Sequence, residues 1–246
     1  MIGSRLADAF EIVGADRAAI VLSCEHASNR LPAGWAWPAA DTWIEAAHWA
    51  WDPGAAAITR ALADALGAPA VLARFTRLLV DPNRDAASPT LFRDVADGRL
   101  IRMNESLPSP ERQRRIATLY RPFHDAFASV VASAPEADLL SIHTFTPVYE
   151  GGPPRPMEIG VLFEREEALA QALAQKLDQA GWRVALNEPY SGQGGNMFSV
   201  DDQALNFGRR AIEIEVRQDV ALDLDRRPGL VNDLIAAVEA VGMVRI

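Results

Sequence analysis

Only one cysteine, Cys24, occurs in these 246 residues, so no internal disulfide can form and a reducing compartment is the default. Long apolar runs are missing as well. No stretch approaches the roughly 18 residues that a membrane span requires. The opening MIGSRLADAFEIVGADR lacks the basic segment and following apolar stretch of a secretory signal. Basic residues are outnumbered, 24 against 33 acidic ones, for a net charge of −9. That balance argues against a nucleic-acid partner, which needs clustered Lys and Arg, while a local basic pocket for a small acid stays open. No G-x-G-x-x-G and no GK[ST] occurs, which removes the common phosphate-cradling loops. Together these absences predict a soluble cytoplasmic protein.

What the chain does have is a 49% hydrophobic content, enough for a large core, and a regular alternation of short apolar runs with amphipathic stretches. Strands are expected at 19–24, 68–73, 77–81, 138–143, 157–163, 182–186 and 211–216. Asp52-Pro53-Gly54 reads as a helix start with Asp52 as N-cap, the helix ending at Gly67. Ser109 with Pro110 predicts a second helix, running to about Ala134, after a long loop from Pro82 to Pro108. Further helices are expected up to Gly181, after Ser199 and over 229–241. Strands separated by helices indicate βαβ units. The expected fold is therefore α/β: one domain over 1–246, with a mostly parallel or mixed sheet flanked by helices. Ligands of such sheets bind beyond the carboxyl ends of the strands, so the residues at those ends are the ones to inspect.

Four histidines are present, and two of them, His26 and His143, close predicted strands. A lone histidine in such a place is usually just hydrogen-bonded, but two at one sheet edge are natural metal ligands. The remaining ligand is open among Asp52, Glu25 and His48. Asp52 follows His48 at i, i+4 spacing, one face of a helix if 48–52 is helical, and an Asp before Pro is also an ordinary cap. Glu25 and His26 converge only where the strand has ended, since neighbours in a strand point to opposite sides. In RLLVDPNR (77–84), Arg77 and Arg84 can hold a substrate carboxylate by paired hydrogen bonds. In AIEIEVRQD (211–219), Glu213, Glu215 and Arg217 share one strand face, and a carboxylate there can act as a general base. The glycines of NEPYSGQGGNMF (187–198) permit a mobile lid with Tyr190 or Asn196 reaching inward. His124 reads as structural. Cys24 reads as a buried small hydrophobe rather than a nucleophile.

Taken together and in order, SCEHASNRLP, HWAWDPGA, RLLVDPNR, SIHTFTPVYEG with RPMEIGVLF, NEPYSGQGGN and IEIEVRQD resemble the N-formylglutamate amidohydrolase family from about Ile20 to Asp219. The resemblance implies a fold laid out as in the zinc carboxypeptidases and metal-assisted hydrolysis of N-formyl-L-glutamate to formate and glutamate, a step of histidine degradation. It also implies one divalent metal, for which zinc suits the donors, held by His26 and His143 with Asp52 or Glu25. Glu215 corresponds to the general base. Asn83 and Arg84 correspond to the pair gripping the substrate carboxylate, with Arg77 or Arg217 for a second acid group and Tyr190 in the substrate loop. Two departures stand out. Asn29 occupies the place of the carboxylate in His-x-x-Glu, and Glu25 stands where better-known members carry Pro. They leave room for a different acylated amino acid or small amide as substrate, or for a carboxylate-binding protein without catalysis.

Overall fold

The computed structural model describes residues 5–15 and 19–244. In chain order the elements are β1 (Arg5–Leu6), β2 (Phe10–Val13), β3 (Ile20–Cys24), α1 (Ala55–Leu66) and β4 (Ala70–Ala73). A small hairpin of β5 (Val95–Ala96) and β6 (Arg99–Leu100) follows, then α2 (Ser109–Arg115), a π-helical stretch Ile116–Tyr120, α3 (Arg121–Ser133) and β7 (Asp138–Phe145). The chain continues with β8 (Ile159–Leu162), α4 (Glu167–Gln179), β9 (Val184–Leu186), α5 (Phe198–Phe207), β10 (Ala211–Arg217), α6 (Gln218–Ala221) and α7 (Arg226–Ala240).

Eight strands form one sheet in the order β1-β2-β4-β3-β7-β10-β8-β9. Its centre, β4-β3-β7-β10, is parallel, while β2 and β8 run antiparallel to their central neighbours. This is the expected mixed α/β sheet between helices. Side-chain alternation sorts the two faces. Ile20, Leu22 and Cys24 of β3, Leu140 and Ile142 of β7, and Ile212, Ile214 and Val216 of β10 pack against α1, α4 and α7. The opposite face begins equally apolar, with Val21, Leu139 and Ala211 beneath Phe123 and Phe127 of α3 and Val200 of α5. Toward the carboxyl ends that second face turns polar: Ser23, Ser141, His143, Glu213 and Glu215 are all buried.

Several expectations need correcting. Residues 77–81 form no strand. They lie in a turn closed by Leu79 N donating to the Thr76 carbonyl at 3.0 Å, and Leu78, Leu79 and Val80 are apolar because the turn itself is buried. Residues 48–52 are not helical. Helix α1 begins only at Ala55, with Gly54 as its cap at φ 92°, because the Asp52 carboxylate is turned toward two histidines instead of the helix amides. Ser109 is the first residue of α2 rather than its cap, which is Pro108. The predicted 82–108 loop contains the β5–β6 hairpin. No helix among the described residues is long and apolar enough to cross a membrane.

Candidate metal and substrate site

The polar end of the sheet face is assembled by register. Glu215 of β10 lies beside His143 of β7, and Glu213 beside Ser141, so adjacent parallel strands present these side chains on one side. Strand β3 ends at Cys24. Glu25 and His26 follow in a turn, and both reach the same cluster. Glu25 Oε2 lies 3.0 Å from His143 Nε2, and the His26 and His143 rings meet edge to face at 4.7 Å between centroids. The 48–54 segment supplies Asp52, whose backbone N–H donates to the His26 carbonyl at 2.9 Å.

One atom each from His26, Asp52 and His143 fall within 4.8 Å of one another, and all three residues are buried. Asp52 Oδ2 is 3.3 Å from His26 Nδ1 and 2.8 Å from His143 Nδ1. The far nitrogens face other carboxylates: His26 Nε2 lies 2.8 Å from Asp81 Oδ1, and His143 Nε2 is occupied by Glu25. An ionised carboxylate only accepts hydrogen bonds, so each ring nitrogen beside one donates while it carries a proton, the two Nδ1 toward Asp52 among them. A cation among these three donors would take the place of those Nδ1 protons. With bonds near 2.1 Å, tetrahedral geometry places ligand atoms about 3.4 Å apart. The donor set, its spacing and the carboxylates behind both imidazoles therefore fit a divalent metal.

The electrostatics agree. Burial opposes the charge on Asp52, yet His26 and His143 outweigh it and hold its carboxyl well below the usual range. Burial likewise works against Glu25, but hydrogen bonds from His143 and Ser141 hold it down at about 2. Asp81 is kept well below its ordinary value, against burial, by Arg77 and His26. Burial would lower His143, but Glu213, Asp52 and Glu25 push it well up. Glu215 moves the other way from Asp52, Glu25 and Asp81, as its neighbour Glu213 does under burial. Burial, with the charges of Asp52 and Glu213, lifts it well above a normal carboxylate, and its Oε2 has no hydrogen-bond partner.

A cavity of about 400 Å³ opens over this cluster, lined by His26, Asp52, His143, Glu213, Glu215, Asn83, Arg84, Arg77, Arg93 and Tyr190 among others. The 76–79 turn sets Arg77 and Asp81 one turn apart, and Arg77 Nε donates to Asp81 Oδ2 at 3.0 Å. Asn83 is held between Glu213 Oε2 (3.3 Å) and the Ser199 backbone amide (3.0 Å). Arg84 Nη1 donates to the Asn83 and Asn196 carbonyls. Tyr190, in the 187–198 loop, borders the cavity, and Arg155 Nη1 reaches its hydroxyl at 3.3 Å. That loop packs closely at Gly192 on the residue after β8, where a Cβ would lie 2.7 Å from the backbone of Phe163.

Not every candidate converges. Arg217 does not line the cavity; its guanidinium goes to Asp219 and the carbonyls of Arg155 and Met157. His48 borders the cavity but stacks on Trp49, outside the His26–Asp52–His143 trio. Asn29 donates to the Glu45 carbonyl at 2.9 Å and does not line the cavity, so no metal-ligand place falls to it. His124 packs between Tyr120, Phe123 and Phe198. Two residues at or behind the cavity escaped the sequence reading. Asp81 was legible only as a strand-end acid, and Arg93, in the unremarkable stretch LFRDV, carried no signal.

A family model described as N-formylglutamate amidohydrolase matches residues 18–222. Among solved structures, that of a gene product of Agrobacterium tumefaciens is 31% identical, with a TM-score of 0.89 over 96% of this chain and 95% of that one. The N-formylglutamate amidohydrolase of Ralstonia eutropha JMP134 is 23% identical, with a TM-score of 0.72 over 96% and 97% of the two chains. A bacteriophage poly-gamma-glutamate hydrolase is 10% identical, with a TM-score of 0.50 over 96% and 89%. The last two likenesses bear on the fold alone. A search of the curated proteins gives no match. With the family model spanning most of its length, the chain belongs to the N-formylglutamate amidohydrolase family.

Proposed function

We propose that this protein is a metal-dependent amidohydrolase that cleaves the formamide bond of an N-formylated amino acid, N-formyl-L-glutamate being the first candidate. The observation that carries this reading is the convergence of His26, Asp52 and His143 in one cavity with an unpartnered carboxyl, Glu215. His26 Nδ1, His143 Nδ1 and an Asp52 oxygen would hold the metal, with zinc suited to two imidazoles and a carboxylate. When bound, such an ion supplies Lewis acidity to the amide carbonyl and acidity to water.

The remaining work falls to the chain. Glu215 takes a proton from the attacking water as the water oxygen bonds to the formyl carbon. It returns that proton to the nitrogen as the C–N bond breaks, and the water's second proton passes from the nascent formic acid to the amine, giving formate and the ammonium product. Its raised proton affinity suits both halves of that exchange. Arg84 and Asn83 orient the α-carboxylate of the substrate at the cavity wall. Asp81 and Glu25 fix the two imidazoles in the tautomer that turns Nδ1 inward. Aligning the scissile bond in this way replaces a bimolecular encounter by a positioned one.

The test pairs elemental analysis of protein purified without added metal with formate release from N-formyl-L-glutamate. One metal per chain and formate release support the reading. Glu215→Gln should keep the metal and lose about 100-fold or more in kcat; a fully active variant removes Glu215 from the mechanism. His26→Ala should strip the metal, and an unchanged stoichiometry would move the site elsewhere.

A further inference from the structure

Three arginines line the cavity, and two of them are already engaged. Arg77 is bound by Asp81, with Asp52 3.8 Å away. Arg84 donates through Nη1 alone, to the Asn83 and Asn196 carbonyls, which leaves its other nitrogens for the α-carboxylate. Arg155, near the rim, is stacked over Phe145, Tyr149 and Tyr190 and donates to the Thr146 carbonyl. Arg93 differs from all of these. Among the described residues its guanidinium has no ion pair and no hydrogen-bond acceptor, only the face of Trp49, 5.0 Å from the ring centroid. A half-buried guanidinium with five unmet donors calls for a planar anion. Burial and the neighbouring charges of Arg77 and Arg84 disfavour its own charge, a cost that an anionic ligand would reverse.

The surroundings say where that anion stops. Trp49 is itself pinned, its indole N–H donating to Asp97 Oδ2 at 3.0 Å, so the arginine rests on a fixed platform. Beyond Arg93 and Trp49 lies a second hollow of about 320 Å³, which these two residues share with the first. Its other walls include Asp94, Asp97 and Glu150. A carboxylate entering from the side of the histidine cluster meets a cation at the partition and carboxylates behind it. It is attracted to Arg93 and repelled from going further.

We infer that Arg93 is a specificity-determining residue that binds the distal carboxylate of a dicarboxylic substrate, while Asn83 and Arg84 hold the α-carboxylate. This rests on the hydrolase reading above and supplies that reading with a residue for the side-chain carboxylate. The acidic hollow behind Arg93 limits the length of the side chain.

The experiment has a catalytic and a non-catalytic arm. In the first, kcat/KM is measured for N-formyl-L-glutamate and its neutral isostere N-formyl-L-glutamine, with the wild-type protein, Arg93→Ala and Arg93→Lys. A charge-assisted pair of hydrogen bonds predicts that the preference for the acid falls at least about tenfold in Arg93→Ala, mainly through KM. Arg93→Lys should recover part of it, since a point charge survives without the fork. Equal losses on both substrates, or no loss on either, overturn the assignment. The second arm measures calorimetric binding of glutarate and of glutaric acid monoamide to the same three proteins. A wild-type preference for the diacid that Arg93→Ala abolishes supports the carboxylate site even if no formate is released, a result that would sink the hydrolase reading alone. Equal affinity for the two ligands in the wild-type protein overturns it.

Discussion

Asp81 does its work through a neighbour. Its Oδ1 faces His26 Nε2 at 2.8 Å and also accepts the Asn83 backbone N–H at 2.9 Å, so one carboxylate orients an imidazole and shapes the turn that carries the substrate-side asparagine. Replacing it with Asn keeps the size and removes the charge. Asp81→Asn should lower divalent-metal affinity about 10–100-fold, the usual cost of losing a carboxylate behind a ligating histidine, as read by competition with a chromogenic chelator. Affinity equal to the wild type would mean that His26 Nδ1 is not a ligand atom. Glu25 has the matching place behind His143, which explains the thiol, carboxylate and imidazole in a row at the end of β3. Cys24 faces one core, Glu25 supports the site from the other face, and His26 lies just past the strand's end.

Between β3 and α1 the chain turns on Gly54, at φ 92°, where an added Cβ would lie 2.7 Å from the Cβ of Ala221. A non-glycine residue there is strained whatever its size. Gly54→Ala should cost about 1–3 kcal/mol in urea unfolding, and displacement of the Asp52–Pro53 segment should weaken metal binding with it. A variant as stable as the parent would show that the turn relaxes freely. Glu158, just before β8, ties that strand to α7 and to the start of β9. Its Oε1 accepts Arg226 Nη2 at 2.6 Å, and Arg183 Nη2 lies 3.3 Å away. Burial opposes its charge, but these arginines outweigh it and lower its pKa. A depressed acid stabilises the fold above the unfolded carboxylate value of about 4.3, and that contribution is lost as pH falls through the folded value. Glu158→Gln should therefore flatten the acid limb of a Tm–pH curve and leave its neutral region lower. The change will be small, because the Arg183 and Arg226 side chains are 61% and 40% exposed and solvent screens their pairs with Glu158. An unaltered acid limb would remove Glu158 from the list of acid-labile contacts.

These elements show where the sequence can be read and where it cannot. Strand β3 announces itself by the apolar run Ile20–Leu22, and β7 and β10 by apolar residues alternating with Ser141, His143, Glu213 and Glu215, whose polar side chains mark the site. Leu78–Val80 imitates that signal, since a buried turn needs the same residues as a buried strand. Asp52-Pro53 imitates a cap because local spacing holds no information about His143, 91 residues away. Arg93 is invisible for a related reason: having no partner is a property of the folded neighbourhood.

A metal held at this site would also crosslink the molecule. Its three donors come from the end of β3, the segment before α1, and β7, so a bound ion would join parts of the chain that separate when the sheet opens. Cys24, two residues from His26 and fully buried in the core against α1, can report on that opening. Burial pushes its thiol up to about 12, helped by the charges of Glu25 and Asp52, so the thiolate that reacts with disulfide reagents is nearly absent from the folded state. Labelling at pH 8 should therefore proceed only through opening, at a rate set by the opening equilibrium when reclosing is fast. A ligand bound only to the closed state at about 100 times its Kd stabilises that state by about 2.7 kcal/mol, which corresponds to labelling about 100-fold slower. Stripping divalent metal with a chelator should accelerate Cys24 modification by that order, and restoring zinc should reverse it. Two results would count against a crosslinking metal at this site: rapid modification of the metal-loaded protein, or a rate indifferent to the chelator.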